Sequence, residues 1–449
     1  MIKKTNTDSV FYRNFRWQYP IIDKGEGIYL YDTEGKRYLD ACGGAIAVNI
    51  GHGVPEIIDA MVKQAKRVSF AYTITFNSEA QIQLAKKIAD LCPMESAKVF
   101  FLSGGSEAVE TAIKIARQYH VESGNSWKYK VISRWPSYHG GTIATLSLSG
   151  RPYIRDIHTP YLLNFPHIAL PYCYRCPFGK EYPNCEIDCA LELERVIKRE
   201  GSEYISAFIA EPIVGLSACG ITPPPEYYGI IRSICDKYNV LMIMDEVVTG
   251  FGRTGKNFGI NHWNVIPDMI TTGKGMSSGY APLAGVIVSG KIVDVLVRGS
   301  GVLRSAFTYA GNPLCCAIGL AVQNYIEKHN LIQKSAEKGL FLFEKCSKLN
   351  RLKTVGRISG KGLLLGIEFV EDKEKKKPFD KDRHFSETIV QKAFERGLYI
   401  RQGAPGMIDG VLGDHMMIAP QFITEEKDIE KIVNIVEEVI LDTEKSFGF

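Results

Sequence analysis

The sequence predicts an α/β fold, a mostly parallel sheet wrapped by helices, with a second and smaller α+β region. Two patterns carry this prediction. Between residues 60 and 325, short apolar or β-branched runs at 98–102, 130–133, 206–210, 240–244, 269–272 and 284–289 alternate with longer helical stretches, as strands joined by crossover helices do. Beyond residue 326, helices mix with strands at 362–369 and 416–419. In a sheet of this kind chemistry gathers at the carboxyl ends of the strands, so the turn after each strand is where functional residues are expected.

The first strand of the large region, Lys98-Val99-Phe100-Phe101-Leu102, runs into Ser103-Gly104-Gly105-Ser106-Glu107, a glycine turn and a helix start. Val109, Ala112, Ile113, Ala116 and Tyr119 recur on one face of that helix, which places Ser106 near its N-cap. Free N–H groups, the positive end of the helix dipole and a hydroxyl suit a phosphate there, worth roughly 1–2 kcal/mol beyond charge pairing. An ordinary capped helix has the same pattern. The second strand leads to Ser137-Tyr138-His139-Gly140-Gly141-Thr142, an aromatic in a glycine-rich loop that can stack on a flat ring. The strand Val240-Leu241-Met242-Ile243-Met244 is apolar throughout and ends in Asp245-Glu246-Val247; 29 residues after Asp245 comes Lys274, held in Thr271-Thr272-Gly273-Lys274-Gly275. Phe307-Thr308-Tyr309-Ala310-Gly311-Asn312-Pro313 puts a hydroxyl before a turn and is a second candidate phosphate donor.

An acid at the mouth of a buried strand and an amine in a nearby tight turn are what an enzyme needs to hold pyridoxal phosphate. The acid keeps the pyridine nitrogen protonated, and the amine condenses with the aldehyde. Taken alone, the same two motifs are also read as a strand-end Asp capping a turn and a surface Lys.

In this order and spacing the motifs resemble the class III aminotransferases, the omega-aminotransferase branch of the fold type I pyridoxal phosphate enzymes. The resemblance runs from Gly27-Ile28-Tyr29-Leu30-Tyr31-Asp32-Thr33-Glu34-Gly35 and Asn49-Ile50-Gly51-His52-Gly53 to Gly413-Asp414-His415-Met416-Met417-Ile418-Ala419-Pro420. It implies that Lys274 carries the cofactor, Asp245 faces the ring nitrogen, Tyr138 stacks on the ring and Val247 packs on the opposite face. Gly105 and Ser106, with Gly104 beside them, match the phosphate cup, and Glu211 matches an acid near the ring. Thr308 matches a phosphate ligand supplied by the neighbouring subunit, so a homodimer with shared sites, or a tetramer built from such dimers, is expected. The family fold also joins residues 1–59 to 326–449 as one discontinuous small domain beside a large domain at 60–325.

The substrate is read from departures. In the ornithine and 4-aminobutyrate group, the stretch matching Glu211-Pro212-Ile213-Val214-Gly215-Leu216 carries Gln and Glu in its last variable places, the Glu masking an arginine. Val214 and Leu216 stand there in this chain, and a leucine cannot pair with a guanidinium. Arg401 matches the mobile arginine of amine:pyruvate-type enzymes, although an inserted loop at 404–412 follows it; its plain reading is a surface charge at a strand end. An arginine fork suits a carboxylate or a sulfonate. Arg134, Arg151 and Arg155, around Tyr138, are further anion candidates. Ile46 replaces a bulky aromatic of amine:pyruvate enzymes and implies a differently shaped pocket. The expected reaction is amino transfer from a small omega-amine or omega-amino acid, such as taurine, β-alanine or 4-aminobutyrate, to pyruvate or 2-oxoglutarate. A racemase or aminomutase of the same family, and a thiol-cluster binding protein on an enzyme scaffold, are the alternatives.

Composition agrees. A chain of 449 residues with 45% apolar content can bury one large and one smaller core. Its 54 basic and 50 acidic residues are too balanced to suggest nucleic-acid binding. The first nine residues lack an apolar leader segment and no run approaches ~18 uninterrupted apolar residues, so a soluble, cytoplasmic protein without a membrane partner is expected. Eleven cysteines then read as reduced thiols. Four of them, Cys173, Cys176, Cys185 and Cys189, follow a C-x2-C-x8-C-x3-C spacing that suits zinc or an iron–sulfur cluster. Buried packing thiols are the other reading and the default one, so no metal is expected.

Overall fold

The computed structural model describes residues 8–449. The leader-free reading of the first nine residues falls mostly outside this range. Three N-terminal strands, β1 (Ile22–Glu26), β2 (Tyr29–Asp32) and β3 (Arg37–Asp40), form an antiparallel meander. The central sheet contains β4 (Lys98–Leu102), β5 (Lys130–Trp135), β6 (His167–Ala169), β7 (Ile205–Ala210), β8 (Leu241–Asp245), β9 (Met269–Thr272) and β10 (Ala284–Val288) in the order β4-β10-β9-β8-β7-β5-β6. The pairs β6/β5, β5/β7, β7/β8 and β8/β9 are parallel, and β10 is antiparallel to both of its neighbours. The expected mostly parallel sheet is therefore present, with β10 alone running against the rest.

Strand periodicity explains how this sheet is buried. In β8, Met242 and Met244 enter one apolar cluster with Phe101, Phe208 and Ile270, while Leu241 and Ile243 enter another with Leu102, Ile209 and Met269. Successive side chains point to opposite faces, and both faces are covered by helices, so no residue of β8 is left to water. Each such side chain contributes roughly 1.5–3 kcal/mol on burial.

The remaining strands are β11 (Val355–Lys361), β12 (Leu364–Phe369), β13 (Leu398–Tyr399), β14 (Arg401–Gln402) and β15 (Asp414–Ile418). β11, β12, β15 and β14 make a third sheet, and β13 pairs parallel with β3. A third apolar cluster accordingly joins Ile28, Leu39, Ile50 and Ile57 from the N-terminal part with Leu342, Ile367, Ile389, Ile418 and Val436 from the C-terminal part.

Arg253 stitches the segments together. It is fully buried and donates to the carbonyls of Leu363 (3.0 Å) and Pro420 (2.6 Å) and to Asn49 Oδ1 (2.6 Å), lying 4.9 Å over the Phe422 ring. These acceptors meet most of the needs of a buried guanidinium, and among the described residues its Nε has no partner. Among the described residues no helix is long and apolar enough to cross a membrane.

Candidate active site

Five strands of the central sheet deliver residues to one place. β4 is followed by the Ser103-Gly104 turn and the helix Gly105–Glu122, β5 by the Tyr138 loop, β7 by Glu211, and β9 by Gly273-Lys274, while β8 ends in Asp245. All five are carboxyl ends, because these strands share one direction.

Asp245 is nearly buried. Its Oδ2 lies 2.7 Å from His139 Nδ1, and its Oδ1 accepts from the Val247 N–H at 3.2 Å. Beside it, burial lowers the Lys274 amine to about 8, with Arg151 and Arg401 acting in the same direction and Asp245 and Glu211 opposing them. Among the described residues that amine has no hydrogen-bond or ion-pair partner. An unpartnered amine held below its usual range gives up its proton more readily and is the better nucleophile for it.

Val247 lies between the two glycine turns: a Cβ on Gly105 would meet its Cγ1 at 3.0 Å, and one on Gly273 at 3.4 Å. The helix Gly105–Glu122 begins at Gly104 without a side-chain cap. Among the described residues the N–H groups of Gly105, Ser106 and Glu107 have no partner, and Ser106 Oγ accepts from the Gly141 N–H at 3.1 Å. The sequence reading placed Ser106 near the N-cap, and it is the second helical residue. Three free donors and a helix dipole form a ready anion site. Glu211 takes the Tyr138 N–H on Oε1 (2.9 Å) and the Gly215 N–H on Oε2 (3.3 Å), which fixes the loop carrying the Tyr138 ring.

Other candidates fall in different surroundings. Ile46 is buried among Ile213, Leu364, Met417 and Ala419, with Leu216 packed against the group. Thr308 is exposed, next to Tyr309. Arg401 opens β14, paired with Met417 of β15, and its Nε is buried without a partner. The 404–412 loop inserts Met407 among Leu170, Tyr172 and Val214. Leu216 is tied to it, its carbonyl accepting from the Ala404 N–H (2.9 Å) and meeting His415 Nε2 (3.0 Å). Cys173, Cys176, Cys185 and Cys189 border one cavity of about 20 Å³, and burial raises the Cys189 thiol to about 12. All cysteines are free. Among the described residues no group of three or more His, Cys, Asp or Glu is arranged to hold a metal ion.

Three residues were not singled out from the sequence. His139 orients Asp245. Asn49 donates its backbone N–H to Ser278 Oγ (2.8 Å), accepts from Arg253 and packs its amide against Gly275, next to Lys274. Arg253 holds Asn49. The one available signal was a charge inside the glycine-rich run Gly250-Phe251-Gly252-Arg253-Thr254-Gly255, where a buried cation has to serve backbone carbonyls.

An amine, a buried carboxylate and a helix-terminal anion site at the carboxyl edge of this sheet define an enzyme of the fold type I transaminase class. The aminotransferase class-III family matches residues 13–440, and the chain belongs to that family. It is 36% identical over 429 residues to a diaminobutyrate–2-oxoglutarate transaminase of Halomonas elongata, covering 94% of this chain and 90% of the other. It is 34% identical over 426 residues to a putrescine–pyruvate aminotransferase of Pseudomonas aeruginosa, covering 94% and 91%. The crystal structure of a thermostable omega transaminase mutant from Pseudomonas jessenii superposes with a TM-score of 0.92 at 31% identity, covering 100% of this chain and 99% of that one. Class III aminotransferases are pyridoxal phosphate enzymes.

Proposed function

We propose that this aminotransferase binds pyridoxal phosphate and moves an amino group from a small omega-amine or omega-amino acid to pyruvate or 2-oxoglutarate, the two substrates using one site in turn. The observation that carries this reading is the unpartnered Lys274 amine beside the Asp245–His139 pair and the open helix N-terminus at Gly105. Gly105, Ser106 and the N–H groups behind them would hold the phosphate, Tyr138 and Val247 the ring faces, and Asp245 the ring nitrogen. When bound, the cofactor supplies an electron sink for the carbon that loses its proton.

The chain's own groups do the rest. Lys274 Nζ would take the proton from the amine-bearing carbon and deliver it to the cofactor carbon that holds the nitrogen. Asp245 Oδ2, fixed by His139 Nδ1, holds a proton on the ring nitrogen through a charge-assisted bond. Glu211 fixes the Tyr138 loop. Arg401 receives the substrate carboxylate, since Leu216 offers no carboxylate to mask it. The acceptors of the two relatives, 2-oxoglutarate and pyruvate, support the acceptor class.

The assembly is a homodimer, with Thr308 completing the partner's phosphate site. Next to Thr308, Tyr309 is 63% exposed and meets the exposed Phe70 edge-on, ring centres 5.8 Å apart, a cost that a monomer would bear without return. Free thiols throughout support a reducing, cytoplasmic setting. A panel of amines tested in single half-reactions, followed by visible absorbance, decides the donor; failure of every amine to bleach the loaded enzyme would remove the reading.

A further inference from the structure

Three arginines surround the Tyr138 loop, and two of them are already engaged. Arg134 is fully buried and donates to the Glu211 carbonyl and to Tyr228 Oη (3.3 Å). Arg155 spends one nitrogen on the carbonyls of Leu146 (2.9 Å), Ser147 (2.7 Å) and Ser149 (2.7 Å), and lies 5.0 Å over the Trp135 ring.

Arg151 is different. Its Nε donates to Ser217 Oγ at 2.8 Å, and its guanidinium carbon lies 4.6 Å from the centre of the Tyr138 ring. The stacking and the Ser217 bond fix the plane of the group, yet among the described residues its two terminal nitrogens have no hydrogen-bond partner and no carboxylate pairs with it. Glu211, an acid that acts on it, is committed to the Tyr138 and Gly215 N–H groups. Arg151 acts on Lys274 together with Arg401, which also lacks a carboxylate. Both guanidinium groups thus act on the reactive amine, and among the described residues neither forms an ion pair with a carboxylate. A partly desolvated, unpaired guanidinium is costly to keep and is offset once a planar anion takes its fork.

Resting on the transaminase reading above, we infer that Arg151 is a second anion anchor that selects a 2-oxo dicarboxylate over a 2-oxo monocarboxylate as amino acceptor. Arg401 takes the carboxylate next to the carbonyl, and Arg151 takes the distal one. The preorganised fork at Arg151 replaces a discriminating contact that the Val214 and Leu216 positions do not supply.

The test uses the holoenzyme, with 2-oxoglutarate and pyruvate compared in the acceptor half-reaction and unreactive glutarate titrated by calorimetry. Arg151→Gln should lower kcat/KM for 2-oxoglutarate about 10–100-fold, leave pyruvate within about 3-fold, and weaken glutarate by a factor similar to that for 2-oxoglutarate. Arg151→Lys, which keeps the charge without the planar fork, should recover part of the preference. Equal losses with both acceptors, an unchanged acceptor ratio, or no recovery in the lysine variant would each overturn the assignment. If the wild type transfers nitrogen to neither acceptor, the transaminase reading fails; the glutarate titration of wild type against Arg151→Gln still reads the anchor separately.

Discussion

His139 and Asp245, 106 residues apart in the chain, meet at 2.7 Å between Nδ1 and Oδ2 on the buried floor of the site. The pairing orients the carboxylate and sets which histidine nitrogen faces it, so the acid presents a fixed oxygen to the ring nitrogen it is proposed to hold.

Asp245→Asn should keep the fold and bind cofactor, yet lose turnover by two or more orders of magnitude. An amide cannot keep the ring nitrogen protonated, and a charge-assisted bond of roughly 1.5–3 kcal/mol goes with it. His139→Asn should lose less, because it removes orientation rather than the acid. Rapid-mixing measurement of the donor half-reaction checks both; wild-type turnover in Asp245→Asn would show that another group does this work.

Lys274 makes a pH-dependent prediction. Burial lowers its amine to about 8 in the folded chain, below the ordinary lysine value of 10.5, so between those values the unfolded chain holds more protons. Stability of the cofactor-free protein should then rise with pH across that window, on the order of 1–3 kcal/mol. Urea unfolding at pH 7.5, 9 and 10.5 should show the rise in wild type and its absence in Lys274→Met. Capture of added pyridoxal phosphate should accelerate up to about pH 8 and flatten above it, and borohydride should fix the cofactor on Lys274 and on no other lysine.

Dimerisation is predicted to govern cofactor retention. If Thr308 completes the phosphate site of a partner, dilution should release cofactor and activity together, and Thr308→Ala should raise the dissociation constant for the cofactor about 3–10-fold, the loss of a hydrogen bond worth about 0.5–1.5 kcal/mol. Sedimentation of an active monomer contradicts the shared site.

Arg401→Ala should raise KM for the keto acid about 10–100-fold, as loss of an ion pair of roughly 1.5–3 kcal/mol requires. An amine donor without a carboxylate should react almost as before. An unchanged acceptor half-reaction would make Arg401 a strand-end charge and leave anion binding to Arg151 alone.

Much of this architecture was legible in the chain. The strands at 98–102 and 269–272 fall where β4 and β9 lie, because their apolar runs are bounded by sharp turn signals. The orientation of β10 was not legible: its five buried residues have the same composition whichever way they run. β6 has three residues, too few for any periodicity. At the site, Asp245 and Lys274 could be read because a strand end and a glycine turn are local features. His139, Asn49 and Arg253 could not, since their roles arise from contacts across 106 and 204 residues of sequence.

The bond between Arg253 and Asn49 makes the beginning of the chain a structural organ of the reactive lysine rather than an appendage. Asn49 is clamped from one side by a buried cation and presses from the other on Gly275, so the backbone that aims Lys274 leans on a bend that follows the N-terminal strands. A deletion reaching Asn49 would strand that cation without one of its acceptors and open a gap beside the lysine turn at the same time. The Asn49 bend is thus part of what aligns the lysine turn, although it lies far from it in the chain.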